Sequence, residues 1–105
     1  MFRHVVLLQF DEHAPEGHAA SVAAELRTLP RAVPSLRSYL VGEDLGLGGD
    51  NAHLAVIAEF DDRAGWEAYR DDPEHRRIVD ERITPHLRSR SATQFEGTGP
   101  AASSD

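Results

Sequence analysis

The chain has 105 residues, 40% apolar and 28% charged, with 18 acidic against 11 basic residues and a formal net charge of -7. That length fits one domain with one modest core, and the acidic balance offers no basic stripe for nucleic acid or an anionic membrane surface. There is no cysteine, and all 11 basic residues are arginine, which excludes thiol nucleophiles, disulfides, thiolate metal sites and a Schiff-base lysine.

No run approaches the length of a membrane span, and Met1 to His4 leads straight into a strand-like run, so a cytoplasmic protein is expected. No G-x-S-x-G, Walker A or G-x-G-x-x-G motif is present. The glycines from Gly42 to Gly49 read as a hairpin loop, because Glu43 and Asp44 would repel a phosphate. Six histidines, two tyrosines and the carboxylates remain. That inventory suits proton transfer without a cofactor or a metal.

Phe2 to Phe10 alternates as a strand with two largely apolar faces, which predicts a central strand covered on both sides; His4 lies on the more apolar face. Residues 16–29 carry Ala19, Val22, Ala23, Leu26 and Leu29 at helical spacing. His13 and His18 lie near the start of that helix and are expected on its surface. Pro30 and Pro34 are expected to end it and bracket a turn. Residues 36–45 and 52–60 read as the second and third strands, with Tyr39 packed at the sheet face. In the third, Leu54, Val56, Ala58 and Phe60 form a wholly apolar face; the other carries His53, Ala55, Ile57 and Glu59. The small Ala55 beside His53 leaves room for a ligand.

Two short helices follow. Asp61 or Asp62 can cap the first, with Trp66 and Tyr69 three apart on one face; Asp72 and Pro73 read as N-cap and N1 of the second. His75, Val79 and Ile83 form one stripe at i, i+4 and i+8, so His75 should point inward beside Tyr69. Such a phenol and imidazole can be an acid and a base, or can brace the helix break. Pro85 ends the helix, and residues 88–95 read as a weaker last strand. Residues 1–97 thus make one domain, with 98–105 expected as a flexible tail.

The order β-α-β-β-α-β predicts an α+β, ferredoxin-like domain: a four-stranded antiparallel sheet with helices on one face. The parity chosen here puts His4 and His53 toward the helices. It leaves Val5, Leu7, Leu54, Val56, Ala58 and Phe60 on the open face, where a second copy would cover them by sheet-on-sheet packing. His4, His53 and His75 could in principle form a three-histidine metal site, but no local ligand cluster supports one. Trp66 is expected in the core or the cavity wall.

The run from His4 to Phe10, Leu29-Pro-Arg-Ala-Val-Pro34, Val41-Gly-Glu-Asp44 and Tyr69-x-x-x-Pro73-x-His75 together resemble the stress-responsive dimeric α/β-barrel (Dabb) family over residues 2–97. Within that family the chain resembles the olivetolic acid cyclase-type polyketide cyclases. The resemblance implies a homodimer and a cofactor-free, aldol-type cyclisation of a hydrophobic β-keto substrate. It assigns the acid and base to Tyr69 and His75, with His4 and His53 lining the pocket. The family often has His immediately before the proline; Asp72 stands here, where it can cap the helix. The alternatives are a stress-associated protein that binds a small molecule without turnover, and a cofactor-free monooxygenase or isomerase of the same fold.

Overall fold

The computed structural model describes residues 1–97, so the tail expected over 98–105 lies outside the described residues. The strands are β1 (Phe2–Phe10), β2 (Ser38–Glu43), β3 (Leu54–Phe60) and β4 (Leu87–Glu96), joined into one antiparallel sheet in the order β2-β3-β1-β4. The helices are α1 (His18–Leu26), α2 (Leu29–Ala32), α3 (Arg63–Asp71) and α4 (Pro73–Ile78). A π-helical turn (Val79–Ile83) and a 3₁₀ turn (Thr84–His86) continue α4. This is the α+β, ferredoxin-like arrangement.

β1 is central, with β3 on one side and β4 on the other. Its strict alternation decides which residues enter the core: Phe2, His4, Val6, Leu8 and Phe10 are buried against the helices. Directly opposed residues of antiparallel strands share a face. Val6 opposes Val56 and Leu8 opposes Leu54, so the wholly apolar face of β3 is also the helix-facing one. The expected parity of β3 is therefore corrected. Leu54, Val56, Ala58 and Phe60 sit in the core, whereas Ala55, Ile57 and Glu59 face outward with Val5, Leu7 and Arg3. The physical reason is that a four-residue apolar face gains most by burial, at about 1.5–3 kcal/mol per large side chain. Glu59 can stay at the surface, paired with Arg3.

The helical side supplies Val22, Ala23, Leu26 and Leu29 from α1 and the start of α2, and Tyr69, Ile78 and Ile83 from the second half of the chain. Glu25 also ties α1 to the later segment through Arg77 and Arg82, at 3.2 and 2.6 Å. Partly exposed pairs of this kind contribute about 0–1 kcal/mol each, so the apolar core decides the fold. Pro30 does not end a long helix. It sits in the first turn of α2, where its missing N–H has no intrahelical partner to lose. Between β2 and β3, the Asp44 carboxylate accepts from the Gly46 N–H and the Asn51 side chain, and Gly46 takes a positive φ of 76°. Among the described residues the outer face of the sheet has no second layer: Leu7, Leu40, Ile57 and Phe95 are 44, 62, 37 and 45% exposed. No helix among the described residues is long and apolar enough to cross a membrane.

Candidate functional site

The site is built on the break between α3 and α4. The Asp62 side chain caps α3 by accepting from the Gly65 N–H. Three residues apart on the inner face, Trp66 and Tyr69 then follow. Pro73 disfavours a helical conformation for the residue before it, and Asp72 is extended at φ -60° and ψ 132°. That same conformation lets Asp72 act as the N-cap of α4. Its Oδ1 accepts from the N–H groups of Glu74 at 2.9 Å and His75 at 3.2 Å, an arrangement worth about 1 kcal/mol. The residue that departs from the family pattern is thus occupied as a cap, and it does not line the cavity.

Between the helices and the sheet lies a cavity of about 240 Å³. Of the residues expected at the site, it brings together His4, Trp66, Tyr69 and His75, and the stripe through Val79 and Ile83 continues its wall. Tyr69 and His75 lie side by side, ring centroids 4.2 Å apart, and the His4 ring is 6.0 Å from Tyr69. Trp66 stacks on Phe2 at 5.8 Å, and the Arg70 guanidinium lies 5.1 Å over its face.

Hydrogen bonds fix the protonation pattern. His75 Nδ1 is 3.2 Å from the carbonyl oxygen of Arg70, in the last turn of α3, where carbonyls lack helical partners. A carbonyl only accepts, so Nδ1 carries the proton and Nε2 keeps its lone pair, with no hydrogen-bond partner among the described residues. Burial, first of all, pulls His75 below its ordinary pKa; Arg76 and Arg90 act in the same direction, against the Arg70 carbonyl and Asp72. The imidazole is therefore a neutral base at neutral pH. The Gln94 amide donates to His4 Nδ1 at 2.8 Å, and burial, then the charges of Arg90 and His75, lower His4 to about 4. Tyr69 is pushed up to about 12, chiefly by burial, with Tyr39 and Arg90 opposing. It stays a phenol and shares a 2.9 Å hydrogen bond with the Tyr39 hydroxyl. Burial, with Tyr69 beside it, also holds Tyr39 far above its ordinary value.

His53 is not part of this cluster. It lies just before β3, where its N–H donates to the Leu8 carbonyl. Its exposed ring stacks on Phe10, and its Nδ1 accepts from the Phe10 N–H at 2.9 Å. Phe10 is six residues along β1 from His4, roughly 20 Å at about 3.3 Å per strand residue. The expected convergence of His53 with His4 is therefore corrected: at the β1 irregularity beside Gln9 and Phe10, His53 satisfies a backbone donor instead. Among the described residues no group of three or more His, Asp or Glu side chains is placed to hold a metal ion. His18 also departs from expectation. It is buried, with Nε2 2.8 Å from the Arg82 carbonyl and its ring against Phe10 and His86. His13 is exposed, as expected.

Sequence reasoning missed Gln94, Arg90 and the contact of Tyr39 with Tyr69. Arg90 and Gln94 oppose Leu8 and His4 across β4, which puts both on the helix-facing side. Tyr39 opposes Ala58 on that same side. The spacing from Arg90 to Gln94, two steps of strand periodicity, would have linked them once the β1 register was known.

The family described as "Stress responsive A/B Barrel Domain" (Dabb) matches residues 2–96. A dimeric ferredoxin-like protein of unknown function from Thermobifida fusca YX is 37% identical, with 90% of this chain and 88% of that chain covered and a TM-score of 0.80. A hydroxynitrile lyase from Passiflora edulis is 17% identical, covering 90% of each chain at a TM-score of 0.75. An antibiotic biosynthesis monooxygenase is 21% identical, covering 94% of this chain and 100% of that one at 0.71. The last two likenesses show the fold alone. Comparison with curated proteins finds no match.

The lowered histidine makes a stability prediction. With a folded pKa of about 4 against about 6.5 unfolded, His4 binds fewer protons in the folded state throughout that window. Stability is thus unaffected above pH 6.5 and falls as the pH drops from 6.5 toward 4. Denaturant unfolding between pH 7 and 4.5 should show a loss that is smaller by on the order of 2 kcal/mol in His4→Gln, which keeps an acceptor for Gln94 but lacks the titrating ring. An identical loss in that variant would contradict the assignment.

Proposed function

Because the chain belongs to the stress-responsive A/B barrel (Dabb) family, we propose that it is a cofactor-independent acid–base catalyst that removes a proton alpha to a carbonyl and directs the resulting enolate into an aldol-type cyclisation of a β-keto metabolite. The observation that carries this reading is the pairing of a neutral imidazole, proton fixed on Nδ1 and Nε2 unoccupied, with a protonated phenol at 4.2 Å over one cavity.

His75 Nε2 takes the C–H proton as general base. The Tyr69 hydroxyl hydrogen-bonds the oxygen on which negative charge develops. Tyr39 donates to the Tyr69 oxygen and leaves the Tyr69 proton for the substrate. His4, held neutral, and Trp66 form the wall against which an apolar substrate packs. His53, at the other end of β1, has no substrate-binding role in this account. The same fold carries a lyase and a monooxygenase among its solved neighbours, which fits a scaffold whose chemistry is set by its cavity. The site of action in this reading is the cytoplasm.

We also propose that two copies pair through the outer sheet face, where Leu7, Leu40, Ile57 and Phe95 would be covered. Similar proteins from Thermobifida fusca and Bacteroides fragilis are described as dimeric. Pairing on this side leaves the helix-side cavity open in both copies.

Two experiments test these readings. A β-keto thioester probe followed by NMR in D₂O should exchange its alpha protons. His75→Ala should slow that exchange by about 10²–10⁴-fold, and Tyr69→Phe should slow it with little change in probe affinity. Unchanged exchange in His75→Ala would remove the base; binding without exchange in the native protein would leave a binding protein instead. Sedimentation should give twice the 11.6 kDa chain mass, with Ile57→Glu shifting the protein to the monomer. A native monomer at tens of micromolar, a concentration well above that needed by about 1 µM dimers, would refute the pairing.

A further inference from the structure

The charge around the cavity is unlike the charge of the chain. The protein carries 18 acidic residues, yet none of those among the described residues lines this cavity, whereas Arg70, Arg76 and Arg90 all do. Two of these cations are already compensated. Arg70 is bonded to Asp71 at 2.8 Å, and Arg76 to Asp80 at 3.3 Å. The Arg90 side chain makes no ion pair or hydrogen bond among the described residues. It stands opposite Leu8 on β4, on the helix-facing side of an edge strand. Its charge acts on each titratable ring around it, opposing protonation of His4 and His75 and favouring ionisation of Tyr69.

We propose that the cavity takes a small aromatic or unsaturated carboxylic acid, its apolar body among Val6, Leu8 and Val79 and its carboxylate on the Arg90 guanidinium. This rests on the cavity identified above as the site of acid–base chemistry and names its ligand class. A guanidinium offers paired N–H donors in a planar fork that matches a carboxylate, and such charge-assisted pairs are the stronger hydrogen bonds. Size agrees as well. A cavity of roughly 150 Å³ is enough for benzene, and 240 Å³ leaves room for a short acidic side chain on such a ring. The anion would also compensate the one cavity arginine that the protein leaves unpaired among the described residues, without burying a carboxylate of its own beside His75.

Trp66 is the only tryptophan in the chain and lines the cavity, so its fluorescence reports occupancy. The probes are 3-phenylpropanoate, its neutral isostere 3-phenylpropanamide, and inorganic phosphate, titrated into the full-length protein at fixed ionic strength. The acid should bind about tenfold or more tightly than the amide, and phosphate, lacking an apolar body, should neither bind measurably nor displace it. Arg90→Gln should abolish the preference of acid over amide while amide affinity stays the same. Arg88→Gln, an equal loss of charge on the same strand but outside this cavity, should leave the preference intact. Equal affinity for acid and amide, a preference that survives in Arg90→Gln, displacement by phosphate alone, or binding of neither organic probe would each overturn the assignment. A preference lost in Arg90→Gln supports it whether or not proton exchange occurs. Exchange without such a preference leaves the acid–base reading standing and removes only the ligand class.

Discussion

The site depends on how one helix is broken. At Asp72 the chain leaves α3, takes an extended conformation imposed by Pro73, and restarts as α4 with the Asp72 carboxylate on the Glu74 and His75 N–H groups. The break also frees the end of α3, and the Arg70 carbonyl left there receives the His75 Nδ1 proton. One junction therefore orients the imidazole, selects its tautomer and sets it beside Tyr69. An uninterrupted helix would place residues 69 and 75 about 600° of rotation apart, on different faces. The π-helical turn that follows continues the departure from a regular helix, with Val79 and Ile83 in the cavity wall.

The sheet gives its two faces different work. Toward the helices, β1 and β3 bury a continuous apolar layer interrupted by His4, and the space left among His4, Tyr69 and His75 is the cavity. Away from them the sheet is partly apolar and uncovered among the described residues. Desolvation acts on the cavity groups in one consistent sense. It disfavours the charged form, so both imidazoles are neutral and both phenols protonated near neutral pH. A neutral base and a neutral acid then stand side by side at one site.

Much of this was legible in the residues, and the misses have physical causes. The β1 alternation, the β-α-β-β-α-β succession of elements and the Asp72-Pro73 restart are read from local signals, and each corresponds to a feature of the fold. The stripe of His75, Val79 and Ile83 correctly turned His75 inward. The same spacing joins His18, Val22 and Leu26, so His18 shares their buried stripe although it stands at the helix start. The parity of β3 was misassigned because a strand's pattern shows which residues share a face without showing which face meets the helices. That is settled by register against β1, and it carried His53 with it. Arg90, Gln94 and the Tyr39–Tyr69 hydrogen bond were hidden for a related reason. β4 is an exposed edge strand without an amphipathic pattern, and Tyr39 meets Tyr69 only through the sheet order.

The chemistry rests on a neutral His75 ring that carries its proton on Nδ1 and offers Nε2 as a base. Long-range ¹H–¹⁵N NMR on histidine-labelled protein reads this directly. The account predicts that His75 is in the Nδ1–H tautomer at pH 7, with a titration midpoint below the ordinary histidine value of about 6.5. A proton on Nε2 at neutral pH, or a midpoint above that value, would contradict it.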